Sequence, residues 1–286
     1  MPAVTKRRIL GLVGLGGVAA ALTACNTLSL FNTFTPKEGG IRHVANDVAF
    51  GDDPRQRYDV YAPKNATGDL PVVVYFYGGN WASGSKDDYV WMGHALASMG
   101  HVVVVPDYRL VPEHPYPDFV FDGAAAVKHA VTHAKDYGGD GSRLALMGQS
   151  AGGYIAALLP LDPQFLGDLP VKAVVGLAGP YDFYPFDVDA SRNAFGHWPR
   201  PAETQPITHA RKLGTHFLLM HSRADTVVMT KNAVNLDKAL RDKGTPSTLK
   251  LYDGLSHQDM AAVFSIPFRS KGTVFADTRA FLASVL

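Results

Sequence analysis

Six short strand-like runs, separated by helical stretches, restrict what this chain can fold into more than any other feature. They lie at 72–77, 101–105, 143–147, 171–177, 216–220 and 248–252. The first two are continuously apolar and rich in β-branched residues, as strands buried on both faces require. Helical stretches fall at 87–99, 118–137, 151–159, 230–243 and 273–285. This alternation predicts an α/β fold with a mostly parallel sheet covered by helices, and puts any ligand site at the carboxyl ends of the strands. The more polar segments 41–50 and 56–61 are expected as antiparallel edge strands.

The chain has 286 residues, of which 47% are hydrophobic and 19% charged. That balance excludes a disordered or fibrous protein and fits one large domain behind a leader. A net charge of +1, with no basic patch interleaved with aromatics, gives no sign of nucleic-acid binding.

Lys6, Arg7 and Arg8 precede an apolar run, 9–22, that is too short for a membrane-spanning helix, which needs about 20 residues. It suits an export signal. The run ends at Leu22-Thr23-Ala24-Cys25, which resembles a bacterial lipobox, and Cys25 is the one cysteine in the chain. Residues 1–24 are therefore expected to be a lipoprotein-type signal and Cys25 the lipidation site, anchoring an exported protein to the cell envelope. Residues 25–40, with Pro36 and Gly39-Gly40, are expected as a tether, and 41–286 as the catalytic domain.

Gly148-Gln149-Ser150-Ala151-Gly152 follows one strand and opens a helical stretch. In this G-x-S-x-G context a serine occupies a sharp strand-to-helix turn that points its hydroxyl out of the sheet, at a helix N-terminus that favours negative charge. An ordinary glycine-rich turn is the bland alternative, but the flanking strand and helix favour Ser150 as a nucleophile. The strand 72–77 runs into Gly78-Gly79-Asn80-Trp81, where glycines let backbone approach a substrate closely.

Tyr77-Gly-Gly-Asn-Trp81 resembles the HGG-type motif of hormone-sensitive-lipase-like and related esterases. Asp107-Tyr-Arg-Leu-Val-Pro-Glu-His-Pro-Tyr-Pro117 resembles their D-Y-R-L-x-P-E-H stretch, and Gly148–Gly152 their elbow. The likeness runs from about residue 55 to the end. Tyr77 stands where the family usually has His, and Asn80 where many members have a third Gly. This form is similar to small bacterial carboxylesterases near the kynurenine-formamidase-like and feruloyl-esterase-like branches. The resemblance implies an α/β-hydrolase fold. Motif alignment makes the amides of Gly79, Asn80 and Ala151 the oxyanion-hole donors.

In this fold the triad partners follow in the order Ser, Asp/Glu, His. Asp225 lies in a stretch resembling the family's H-G-x-x-D-x-x-V, and His257 follows the last strand. Among eleven histidines His221 is the nearest rival, but it precedes the acid. Asp253 and Asp259 sit too near His257 in sequence to be the acid. His129 and His133 share a helix face but lack the Glu of a metalloprotease motif, so no metal or other cofactor is expected. The stretch 107–109 is expected to support the site floor. The aromatic-rich segment 180–214 is expected to form a lid or pocket wall, and Trp81, Tyr154 and Phe183 to line the acyl pocket. Together these imply hydrolysis of small carboxylic esters, with short acyl chains favoured because the insertion is small. The alternatives are an arylformamidase-like amide hydrolase, a carbohydrate acetyl or feruloyl esterase, and a non-catalytic binding protein on the same scaffold.

Overall fold

A computed structural model describes residues 27–286 of the chain. The expected signal and Cys25 lie outside the described residues. Residues 27–34 are helical (α1). After α1 come β1 (Ile41–Ala49), β2 (Arg57–Pro63), β3 (Leu70–Phe76), α2 (Val90–Ala97), β4 (Val102–Pro106) and α3 (Asp118–Thr132). Next are β5 (Gly139–Gln149), α4 (Ala151–Leu161), α5 (Pro163–Leu166), β6 (Ala173–Leu177), α6 (Asp189–Phe195) and β7 (His216–Ser222). The chain ends with α7 (Lys231–Asp242), β8 (Ser247–Tyr252), α8 (Asp259–Ala262) and α9 (Val274–Val285).

The eight strands form one sheet in the order β1-β2-β4-β3-β5-β6-β7-β8. The polar strands β1 and β2 pair antiparallel at one edge, and β3 to β8 run parallel. Val72, Val73, Val74, Tyr75 and Phe76 are all buried, as a strand covered by helices on both faces demands. The parallel strands bring the loops after β3, β5, β7 and β8 to one edge of the sheet.

Two departures from expectation bear on the site. The predicted helix 87–99 is divided: a 3-10 turn (Lys86–Tyr89) precedes α2. Lys86 fixes that turn, because its ammonium pairs with Asp47, Asp59 and Asp87 at 2.7, 3.1 and 2.8 Å while its amide donates to Asp107. The expected tether is a docked element. Phe31 packs edge-on against Trp91 at 5.3 Å and beside Phe268 at 5.9 Å. Asn32 donates to Asp87 O at 2.8 Å, which ties α1 to the turn before α2. Among the described residues no helix is long and apolar enough to cross a membrane.

Candidate active site

Ser150 sits between β5 and α4 with φ +54° and ψ −123°, a conformation that costs a non-glycine residue energy. The flanking glycines leave no room for side chains of their own. A Cβ on Gly148 would lie 2.2 Å from Gly152 O, and one on Gly152 would lie 2.0 Å from Phe76 O. Ser150 N donates to Leu177 O at 2.9 Å, pinning the elbow to β6. Ala151 opens α4, so its N–H has no acceptor within the helix.

The loop after β3 has three consecutive positive φ angles, at Gly79, Asn80 and Trp81. Its internal hydrogen bonds run from the amides of Ala82 and Ser83 to Gly79 O, both 3.0 Å, and do not use the amides of Gly79 or Asn80. A polar scaffold holds this loop from below. Arg55 donates to Tyr77 Oη at 2.9 Å and to Gly84 O at 2.7 Å, and Tyr77 Oη donates to Asp107 at 2.6 Å. Lys86 N donates to the same carboxylate at 2.7 Å, and Tyr108 Oη donates back to Tyr77 O at 3.0 Å. The phenol at position 77 thus ties loop to scaffold. Of the stretch 107–109, expected to support the floor, Asp107 and Tyr108 belong to this network, whereas Arg109 pairs with Asp122 at 2.8 Å.

Asp225 lies in the loop after β7. Its Oδ1 accepts from the amides of Val227 and Val228 at 2.8 and 3.0 Å. Its Oδ2 lies 2.7 Å from His257 Nδ1 and 3.3 Å from His221 Nε2. Burial pushes the Asp225 carboxyl up, but hydrogen bonds from His221, His257 and the Val228 amide outweigh it and hold the group well below the usual carboxylate range. With Nδ1–H committed to Asp225, His257 keeps its lone pair on Nε2. That nitrogen lies 3.2 Å from the side-chain nitrogen of Gln149, the residue before Ser150. No direct hydrogen bond joins Ser150 to His257 here; in unliganded hydrolases that contact commonly tightens only when substrate arrives.

Ser150, His257, Gly79 and Asn80 line one cavity of about 550 Å³. Its apolar wall comes from Leu28, Phe31, Tyr89, Trp91, Val227 and Ala261. The expected pocket residues Trp81, Tyr154 and Phe183 do not line it. The left-handed turn at Asn80 and Trp81 carries the indole inward, where it stacks on Phe119 and meets Tyr154 and Phe195 edge-on. Phe183 lies against the same cluster, and Tyr154 Oη donates to Thr204 O at 2.6 Å. The segment 180–214 therefore caps an aromatic core and contributes nothing to the cavity wall. Sequence reasoning also missed α1 as a wall and Gln149 as a neighbour of the base. The i, i+3 pair Leu28 and Phe31 was the available signal for the former. Among the described residues no group of His, Cys, Asp and Glu could hold a metal ion.

Strand order, nucleophile elbow and the acid and base loops define an α/β hydrolase with a Ser-His-Asp constellation. Comparison with known proteins narrows this: the BD-FAE family model matches residues 58–240, and the chain belongs to that family. Esterase LipC of Mycobacterium tuberculosis is 32% identical over 235 residues, covering 72% of this chain and 58% of the relative. Isoprenylcysteine alpha-carbonyl methylesterase ICME of Arabidopsis thaliana is 30% identical over 246 residues, covering 77% of this chain and 57% of the relative. The chain thus spans little more than half the length of these relatives. In structure, esterase B from Lactobacillus rhamnosis superposes with a TM-score of 0.80 at 17% identity, covering 94% of each chain. That likeness confirms the fold.

Proposed function

We propose that this chain hydrolyses carboxylic esters through an acyl-enzyme. Ser150 Oγ attacks the ester carbonyl as its proton passes to His257 Nε2, which exchanges its Gln149 neighbour for the serine. The amides of Gly79, Asn80 and Ala151 receive the negative oxygen. The carbonyl–alkoxy bond then breaks, and the alcohol leaves with the proton from His257. Water attacks the acyl-serine, giving its proton to the same nitrogen, and the acid departs as Ser150 regains its proton. Asp225 keeps the imidazole in the required tautomer and stabilises its charged form. The observation that carries this reading is the 2.7 Å contact between His257 Nδ1 and Asp225, with the opposite ring nitrogen beside the elbow. The pairing of His257 with Asp225, with its other ring nitrogen beside the Ser150 elbow, argues against a non-catalytic binding role.

The expectation of short acyl chains rested on the 180–214 insertion, which does not line the cavity. The apolar wall favours an apolar ester over an acetylated or feruloylated polysaccharide. Comparing kcat/KM on p-nitrophenyl butyrate, N-formylkynurenine and an acetylated polysaccharide tests this. The aryl ester should be turned over at least tenfold faster than the other two. Preference for N-formylkynurenine would make the chain a formamide hydrolase.

Localisation is part of the same reading. The lone cysteine at the end of an apolar run behind basic residues supports export and lipidation at Cys25, which would hold the domain at the envelope of the producing cell.

A further inference from the structure

The helix α1 has two faces with different tasks. Leu28 and Phe31 line the cavity that holds Ser150 and His257. Leu30 and Phe34, one helical turn apart, point outward and are 57% and 78% exposed. Val227 also lines the cavity while remaining 56% exposed, and Met229, two residues further on, is exposed as well. These large apolar side chains sit on the two segments that frame the cavity. In sequence, Thr27, itself a lining residue, is two positions after Cys25. Three residues of chain, from 25 to 28, span at most about 11 Å.

We infer that the cavity opens onto the membrane surface and takes its ester from the lipid layer. In this arrangement α1 is both the inner wall of the site and part of the contact with the bilayer. The inference rests on the hydrolase and lipidation readings above. A diacylglycerol-type anchor on Cys25 holds the start of α1 at the lipid headgroups. Leu30 and Phe34 then enter the interface, where each buried apolar side chain contributes favourably. An apolar ester dissolved in the bilayer reaches Ser150 along Leu28, Phe31 and Val227 without crossing bulk water. The substrate class is a membrane-partitioned carboxylic ester.

The test uses the full lipidated chain on phosphatidylcholine vesicles containing a p-nitrophenyl long-chain ester, with soluble p-nitrophenyl acetate as reference. A Gly/Ser insert of about 20 residues between Asn26 and Thr27 keeps the anchor but lets the domain stand off by about 25 Å. Its rate on the vesicle-borne ester, relative to acetate, should fall at least tenfold. Leu30→Ser together with Phe34→Ser should lower the same ratio several-fold while acetate hydrolysis stays unchanged. An insert that leaves the ratio within twofold of the native chain overturns the inference. So does an intact mass showing no lipid on Cys25. Failure of the native chain to hydrolyse either ester would instead remove the hydrolase reading.

Discussion

Two buried aspartates at strand ends behave in opposite ways. Asp107 follows β4 under the loop after β3, and Asp225 follows β7 beside His257. Their exposure is nearly the same, 8% and 5%. Burial raises Asp107, and the hydrogen bond from Tyr77 and the charge of Arg55, 3.6 Å away, offset that only in part, so its pKa stays above the ordinary value. Burial also pushes the Asp225 carboxyl up, but donors on both oxygens, including two imidazoles, drive it far below. The direction in which a buried carboxyl shifts follows from the balance between its burial and the donors aimed at it. One aspartate anchors a backbone loop. The other must stay ionised to face an imidazolium.

Asp225→Asn breaks the comparison most severely. It should lower kcat by about 10⁴-fold, because the amide no longer holds the productive tautomer of His257. Steady-state rates on p-nitrophenyl butyrate measure this. Tyr77→Phe strikes the other region. Removing the hydroxyl leaves a buried carboxylate short of a donor and should cost about 1–3 kcal/mol of stability in urea unfolding. The loosened oxyanion loop should reduce kcat by a smaller factor than the Asp225 change, with KM less affected.

The smallest effect lies in the pH dependence of stability, where the two sites differ in sign. Asp225 has a depressed pKa, so its stabilisation is present above the unfolded value of about 3.9 and fades as pH falls through the folded value. The stability deficit of Asp225→Asn should therefore shrink in acid. Asp107 has a raised pKa, so its ionisation costs stability above about 3.9, and that cost is relieved on acidification. Any deficit of Asp107→Asn should then grow as pH is lowered from 7 towards 4. Urea midpoints from pH 7 down to about 2 read both trends, the Asp107 deficit changing above about 3.9 and the Asp225 deficit below it, and parallel trends would contradict the contrast.

The contrast was only half legible in the sequence. The parallel sheet could be read because doubly buried strands are apolar along their length. Ser150, Asp225 and His257 could be read because each follows a strand in a motif of its own, and the geometry places all three at one edge. The pocket could not. Proximity of Trp81 to the oxyanion loop says nothing about side-chain direction, and two consecutive left-handed residues turn it into the core. The wall from α1 was hidden because eight helical residues between the expected leader and Gly39-Gly40 carry too little periodicity to stand out from a tether. Arg55 and Lys86 act through tertiary contacts with distant carboxylates that no local pattern marks.

The central claim is that the hydroxyl at the β5–α4 turn is the nucleophile. Treating the native chain, Ser150→Ala and His257→Ala with a fluorophosphonate and measuring intact mass with peptide mapping tests it directly. The account predicts one adduct on Ser150 in the native chain, none in Ser150→Ala and at least hundredfold slower labelling in His257→Ala, with all three folded. An adduct that persists in Ser150→Ala would contradict it.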